Sequence, residues 1–136
     1  MRDEKVIDQV KPKIIRRVIS KKTSQQMMEI LKFVVKEGTG KNAAVEGFDV
    51  AGKTGTAQKY ISKTKSYSKT EFVSSFIGYA PADAPRLVIL VMIDNPKGVH
   101  WGSVVAAPVF REIAKKSLRY LNVPSSEERV FILDRA

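Results

Sequence analysis

The stretch of sequence that decides the fold is Val50-Ala51-Gly52-Lys53-Thr54-Gly55-Thr56-Ala57-Gln58. It opens on the short β-prone run 48–50 and places one lysine and two threonine hydroxyls around two glycines. On a strand, Lys53 and Gly55 share one face and the two threonines share the other. A strand that borders a groove can pair with an extended peptide, and a hydroxyl beside a lysine charge favours a carboxylate on that peptide. The stretch therefore predicts a strand edge that receives an extended, anionic ligand.

The same letters admit a second interpretation, because Gly47 to Thr54 also match the phosphate-binding pattern G-x-x-x-x-G-K-[ST]. A phosphate loop needs a buried strand before its first glycine and a helix that begins at the lysine and threonine, so that helix amides face the phosphates. Residues 37–46 are polar and glycine-rich, which is typical of a loop, and Gly55 falls where the first helical turn should be. P-loop nucleotide binding at Gly47 to Thr54 therefore stays a remote alternative.

The composition excludes several classes of protein. At 136 residues with 43% apolar side chains, the sequence suits one small domain. It contains no run of about 18 apolar residues, so we expect no membrane span within it. The absence of cysteine excludes disulfides and thiolate metal sites. One histidine and no clustered carboxylates predict no metal site, and we expect no cofactor.

The formal net charge of +10 is unevenly distributed. Residues 1–22 carry eight Lys and Arg against three acids, and residues 53–69 carry five lysines and no acid. A basic surface suits nucleic acid, anionic lipid headgroups or acidic polymers, although a solvated face with an exposed loop explains the same charges. The sequence has no helix-turn-helix, zinc site or aromatic-studded ribonucleoprotein strand, so we do not expect nucleic acid as a partner.

Helical periodicity indicates one helix on each side of the central region. The first is predicted to have Thr23 as its cap, with Gln26 as capping-box partner, and to end at Gly38. Its apolar stripe, which we expect to pack on a sheet, consists of Met27, Ile30, Leu31, Val34 and Val35. The second helix is predicted over residues 103–121, with Pro108 tolerated only near its first turns. Its predicted buried face consists of Phe110, Ile113, Ala114, Leu118 and Leu121.

Three strands are predicted between these helices, at residues 47–59, 70–80 and 86–94. The last two are joined by the turn-rich residues 81–85, a link short enough for an antiparallel hairpin. Residues 60–69 are rich in Ser, Lys and Thr, and we predict an exposed loop there. We therefore expect an α+β fold of about three antiparallel strands, with a helix before them and a long helix after them.

The triplet Lys53-Thr54-Gly55 on a strand is also the third motif of penicillin-binding proteins and serine β-lactamases. The chain resembles the C-terminal part of the transpeptidase domain of class B penicillin-binding proteins, the monofunctional enzymes that cross-link the cell wall. The resemblance rests on five blocks in the family's order and spacing: Pro12 to Ser20, Val34 to Gly40, Gly52 to Gln58, Phe76 to Pro81 and Ala106 to Phe110. It implies a partial penicillin-binding or serine β-lactamase-like domain over residues 23–122, after an extended segment (1–22) and before a polar tail (123–136).

The resemblance implies a role for each residue of the central strand. Lys53 would supply positive potential and help to hold the catalytic hydroxyl network. Thr54 and Thr56 would bind the carboxylate of a β-lactam, or the terminal carboxylate of a D-alanyl-D-alanine stem peptide. The backbone amide of Thr56 would be one of two oxyanion donors. Gly52 and Gly55 would serve the geometry, because glycine lets one backbone approach another closely.

The sequence lacks the rest of the catalytic machinery that the family uses. Its serine nucleophile lies in Ser-x-x-Lys and is followed by Ser-x-Asn, both upstream of Lys-Thr-Gly. Neither motif precedes Lys53, and the matches that begin at Ser62 and Ser66 lie after it, in the predicted loop. We therefore expect the nucleophile to lie outside this chain, the chain alone to be inactive, and apolar surface to be left exposed. His100 and Trp101 have no nucleophile or orienting acid near them in sequence, so we expect them to pack the closing helix.

Partners and location also follow from the resemblance. The implied partners are the peptidoglycan stem peptide, β-lactams, the upstream part of the same enzyme and other cell-wall synthesis proteins. The implied location is the cell envelope, at the outer face of the cytoplasmic membrane, with the anchor upstream. Carboxypeptidase and sensor roles stay open, because Lys-Thr-Gly does not distinguish them. An alternative from a different class is a non-catalytic peptide-binding or scaffolding module of the cell-wall machinery.

Overall fold

A computed structural model describes Lys11 and residues 13–126 of the chain. Their elements in chain order are α1 (Lys21–Lys36), a 3-10 turn (Lys41–Ala43), β1 (Ala51–Ile61), β2 (Ser66–Ala80), β3 (Leu87–Asp94), α2 (Gly102–Val105) and α3 (Ala107–Tyr120). The three strands form one antiparallel sheet in the order β1-β2-β3. The predicted α+β fold is confirmed. None of the helices in the described part of the chain is both long and apolar enough to cross a membrane.

The first helix begins earlier than predicted. Ser20 is its N-cap, in an extended conformation, and the Ser20 hydroxyl accepts a hydrogen bond of 3.0 Å from the Thr23 amide. The prediction of Thr23 as the cap was therefore wrong, because a serine three residues earlier already satisfies that amide. Glu37 is the C-cap in place of Gly38, and the last residue of the helix is Lys36. Of the predicted apolar stripe only Val35 is buried, while Met27 and Ile30 are about half exposed.

The predicted loop over residues 60–69 was also wrong. β1 continues to Ile61 and β2 starts at Ser66, so only residues 62–65 turn. Since β3 pairs with β2 only as far as Val73, residues 59–71 project beyond the sheet as a two-stranded hairpin, which we call the arm. A Ser/Lys/Thr-rich composition suggested a loop, but hydroxyl-bearing and aromatic residues pair well across two strands.

The core lies between the sheet and α3. Phe76 of β2 and Phe110 of α3 are completely buried, with ring centroids 4.8 Å apart in an edge-to-face arrangement. Ala114 and Leu118 are buried one and two turns further along, as predicted. Two other predictions for this face were wrong: Ile113 and Leu121 are 42% and 45% exposed.

The closing helix is two helices rather than one. α2 ends at Val105 and α3 starts at Ala107, with Ala106 between them as a cap. Pro108 lies in the first turn of α3. Because proline has no amide proton and its ring collides with the carbonyl four residues earlier, a continuous helix through this position is disfavoured. The single helix predicted over residues 103–121 was therefore wrong in its first turns.

The opposite face of the sheet is largely uncovered. The register places Lys53, Ile77 and Leu90 side by side on this face. Four apolar side chains here are about half exposed or more, and we call them the open face: Ile77 (48%), Leu90 (54%), Met92 (62%) and Val88 (72%). This is the exposed apolar surface that the sequence led us to expect.

Gly52 is the glycine of β1 for which the fold leaves least room. A Cβ placed there would lie 2.8 Å from the Ile77 carbonyl oxygen and 2.5 Å from the Phe76 ring. At Gly55 it would meet only the Ser75 hydroxyl, which can rotate away. We expect Gly52→Ala to destabilise the fold by about 1–3 kcal/mol, the usual cost of overpacking, and Gly55→Ala by less than about 1 kcal/mol. Urea denaturation followed by circular dichroism measures both, and equal losses would contradict the explanation.

Candidate functional site

Lys53, Thr54, Gly55 and Thr56 lie in the first half of β1, which is an edge strand of the sheet. An edge strand leaves alternate amides and carbonyls unpaired by the sheet, so it can accept another extended chain. The phosphate-loop alternative required a helix to begin at Lys53. The structure has a strand there, so these residues do not form a phosphate loop.

Lys53 and Thr54 are neighbours on a strand, so their side chains leave it on opposite faces, yet their polar ends meet. The exposed Lys53 side chain bends along the strand, and its ammonium group donates to the Thr54 carbonyl at 3.0 Å and to the Thr54 hydroxyl at 3.3 Å. None of the ion pairs formed by the described residues involves Lys53. A cation without an acidic partner, next to a hydroxyl, is suited to receive a carboxylate.

Thr39 is a member of this site that the sequence analysis did not single out. Its hydroxyl lies 3.1 Å from the Thr54 hydroxyl. The turn that carries it follows α1 and is closed by the amides of Gly38 and Gly40, which both donate to the Val34 carbonyl, at 3.1 and 2.9 Å. The signal was present as Gly38-Thr39-Gly40, one of the family-like blocks, but nothing in the sequence indicated its contact with β1.

Thr56 is held by a different contact. Its hydroxyl accepts a hydrogen bond of 3.1 Å from the Gly102 amide at the start of α2. A Cβ at Gly102 would lie 2.5 Å from the Gly55 carbonyl oxygen, so glycine is what allows α2 to approach β1 this closely. The Thr56 hydroxyl keeps its own proton and can still donate it to a ligand. It does not join the chain formed by Thr39, Thr54 and Lys53.

His100 and Trp101 lie in the turn that leads into α2, and their ring contacts are with Phe72 of β2 and with each other instead of with the closing helix. The His100 ring stacks on Phe72 with centroids 3.9 Å apart and planes 8° apart, and Trp101 lies against His100 at 4.7 Å. The buried Ser74 hydroxyl donates to the His100 carbonyl oxygen. These contacts fix the position of Gly102, and through it Thr56.

The two Ser-x-x-Lys matches lie far from Lys53. Ser62 is in the turn of the arm and Ser66 is the first residue of β2, both exposed. Ser62 lies six residues after Thr56, just past the end of β1, which corresponds to roughly 20 Å at 3.3 Å per residue. Neither serine starts a helix.

A groove of about 530 Å³ between α1 and residues 44–50 is not part of this site. Lys32 and Asp49, both in its lining, form an ion pair of 3.0 Å, and the hydrogen bond that Lys32 donates to Asp49 raises the pKa of Lys32 above its ordinary value. Both side chains are solvent-accessible, so this is an ordinary surface pair. The described residues hold no cluster of His, Cys, Asp or Glu that suits a metal ion.

Comparisons with known proteins point in one direction. A family model described as the penicillin binding protein transpeptidase domain matches residues 2–115. Stage V sporulation protein D of Bacillus subtilis is 45% identical over 128 residues, which are 93% of this chain and 20% of that protein. The probable peptidoglycan D,D-transpeptidase PenA of Neisseria flavescens is 43% identical over 110 residues, 79% of this chain and 27% of that protein.

Solved structures agree with the sequence matches. The transpeptidase domain of penicillin-binding protein 3 from Burkholderia pseudomallei has a TM-score of 0.72 at 42% identity, over 82% of this chain and 34% of that one. Penicillin binding protein 3 from Mycobacterium tuberculosis, solved with ampicillin, also has a TM-score of 0.72, at 39% identity, over 81% of this chain and 26% of that one. The chain therefore spans only about a fifth to a third of the proteins it matches.

Proposed function

This chain belongs to the family of penicillin-binding protein transpeptidase domains, and we propose that it is the C-terminal segment of a peptidoglycan D,D-transpeptidase. In this proposal, the edge of β1 binds the carboxylate of the D-alanyl-D-alanine stem peptide or of a β-lactam. The observation that carries it is the Lys53 ammonium group beside the Thr54 hydroxyl, with no acidic partner among the described residues.

The chemistry of the strand supports a division of roles. Lys53 attracts the carboxylate, and the hydroxyls of Thr54 and Thr56 donate hydrogen bonds to it. The backbone amide of Thr56 would stabilise the negative oxygen of the tetrahedral intermediate, a contribution of about 3–4 kcal/mol in enzymes of this general type. Gly55 leaves the strand surface open, because nothing but the Ser75 hydroxyl would meet a side chain there.

The serine nucleophile would come from a part of the enzyme outside this sequence. Ser62 and Ser66 support this, because both lie at the end of the arm rather than beside Lys53. The open face supports it as well. Its half-exposed Ile77 and Leu90 lie next to Lys53 on the sheet and suit burial against the rest of a transpeptidase domain. The location that follows is the cell envelope, at the outer face of the cytoplasmic membrane, with the anchor in another part of the protein.

Intact-mass spectrometry with a reactive penicillin tests the proposal. The chain would be incubated alone, and also mixed with the remaining part of the transpeptidase domain of the Bacillus subtilis relative. We expect no adduct on this chain, and an adduct on the added part only when both are present. An adduct on this chain would place the nucleophile at a residue such as Ser62 or Ser66. No adduct in the mixture, with both parts shown to associate, would favour the non-catalytic peptide-binding module.

Thr39 offers a finer test of the same site. We expect Thr39→Val to lower the rate constant of acylation in the mixture by about three- to tenfold, because one hydrogen bond to Thr54 contributes about 1 kcal/mol. Thr39→Ser keeps the hydroxyl and should retain most of the rate. Valine has the shape of threonine but no hydroxyl, and serine keeps the hydroxyl but lacks the methyl group. A loss in Thr39→Ser as large as that in Thr39→Val would contradict a role that depends on the hydroxyl.

A further inference from the structure

A β-bulge and the hydrogen bonds of Ser68 define the geometry of the arm. Gln58 pairs with Phe72 and Tyr60 with Tyr67, so residues 68–71 of β2 bulge opposite Lys59 alone. The buried Ser68 hydroxyl closes this bulge by accepting from the Thr70 amide at 3.2 Å and the Glu71 amide at 2.9 Å. A bulge of this kind bends and twists the strands beyond it, so it sets the direction in which the arm projects.

An ion pair joins the base of the arm to the end of β3. Lys59 lies 2.8 Å from Asp94 at the end of β3, and the hydrogen bond between them raises the pKa of Lys59. The other lysines of the arm, Lys63, Lys65 and Lys69, are exposed and take part in none of the ion pairs among the described residues. The arm therefore presents three free positive charges away from the body of the protein.

Two tyrosines lie between these charges. Tyr60 and Tyr67 face each other across the strands with ring centroids 5.6 Å apart at 70°, and they remain 56% and 65% exposed. Such a pair gives the arm rigid, amphipathic contact area at small entropic cost. The turn between them carries further hydroxyls, from Ser62, Thr64 and Ser66.

We propose that the arm is a second binding surface, for a glycan strand that bears carboxylate groups. The tyrosine rings offer flat apolar contact to sugar rings, the hydroxyls match sugar hydroxyls, and the lysines attract the carboxylates. This inference rests on the proposed function, in which the ligand binds beside Lys53. β1 runs without interruption from Lys53 to the arm. Tyr60 is four residues past Thr56, roughly 13 Å along the strand, so one polymer can contact both places. The hydroxyl-rich turn lacks the Trp, Phe and Leu side chains with which surfaces insert into lipid.

Co-sedimentation of the 136-residue chain with purified, insoluble peptidoglycan sacculi tests this surface. The variants are Tyr60→Ser with Tyr67→Ser, and Lys63→Gln with Lys65→Gln. The matched control is Lys115→Gln with Lys116→Gln, which removes two exposed charges from α3. We expect each arm variant to weaken binding about fivefold or more. For the lysine variant, this is what two exposed charge contacts together contribute. The control should weaken binding less than about twofold. Sacculi with amidated carboxylates should bind as weakly as the lysine variant does to native sacculi.

Three results would overturn the proposal. The first is a loss of sacculus binding in the α3 control equal to that in the arm variants, and the second is undiminished binding to amidated sacculi. The third is arm-dependent binding that is tighter to phosphatidylglycerol vesicles or single-stranded DNA than to sacculi. Penicillin is too small to reach from Lys53 to the arm, so the arm variants should keep normal acylation in the two-part assay. If Lys53→Gln leaves the acylation rate unchanged while the chain still binds sacculi, the result counts against the proposed function and not against the arm.

Discussion

Replacing Lys53 by glutamine is expected to slow acylation by penicillin in the two-part enzyme about 100-fold or more, without unfolding the chain. The expected loss is large because the ammonium group acts where negative charge is bound and where it develops, in a site from which ligand excludes water. Folding should be unaffected, since Lys53 is exposed and its ammonium group donates hydrogen bonds to Thr54, its neighbour in the chain. The measurement is the second-order rate constant of adduct formation, read by intact mass over time.

Two further variants sharpen the result for Lys53. Lys116→Gln removes another exposed charge, from α3 on the other side of the sheet, and should leave the rate within about twofold. Lys53→Arg keeps the charge but not the compact ammonium geometry, so an intermediate rate is expected. If Lys53→Gln reacts at the normal rate while circular dichroism shows a folded chain, Lys53 has no role in acylation.

Replacing Phe110 by alanine is expected to destabilise the fold by about 3–5 kcal/mol. The ring is completely buried between α3 and β2, and it meets Phe76 edge-to-face. Its loss removes one of the largest fully buried side chains and leaves a cavity that neighbouring alanines cannot fill. Since small domains are stable by only about 5–15 kcal/mol, this loss is a large fraction of the total stability, and the variant should unfold at a clearly lower urea concentration. Urea denaturation followed by circular dichroism gives the free energy of unfolding.

Ile113→Ala is the matched control for Phe110. It truncates an apolar residue one turn further along the same helix, but one that is 42% exposed. The expected loss is below about 1 kcal/mol, in the range of surface substitutions. A loss for Ile113→Ala as large as that for Phe110→Ala would mean that the isolated chain associates through this side of α3.

Local patterns were sufficient for the element order and for the central strand. Alternation around Lys53 predicted β1, and the short link between the second and third strands predicted their antiparallel pairing. Helical spacing also identified Phe110, Ala114 and Leu118 as buried. These predictions succeeded because each depends on residues within a few positions of one another, where backbone geometry decides which side chains share a face.

Element ends and the extent of the hairpin were less predictable. The composition of residues 60–69 is that of a loop, yet pairing across the arm and the Ser68 contacts make it a strand pair. Ile113 and Leu121 fit the helical period but lie at the margin of the contact between α3 and the sheet. A local sequence pattern does not indicate how wide that contact is.

The sequence by itself determined that this chain carries Lys53, Thr54, Gly55 and Thr56 on a strand of a family-like α+β domain, because a motif and its periodicity are local properties. Only the tertiary structure decided which hydroxyls surround that strand. Thr39 is 15 residues from Thr54, and Gly102 is 46 residues from Thr56, yet each pair is joined by a hydrogen bond. Contacts across such separations depend on how helices and sheet pack, and packing is a property of the whole chain.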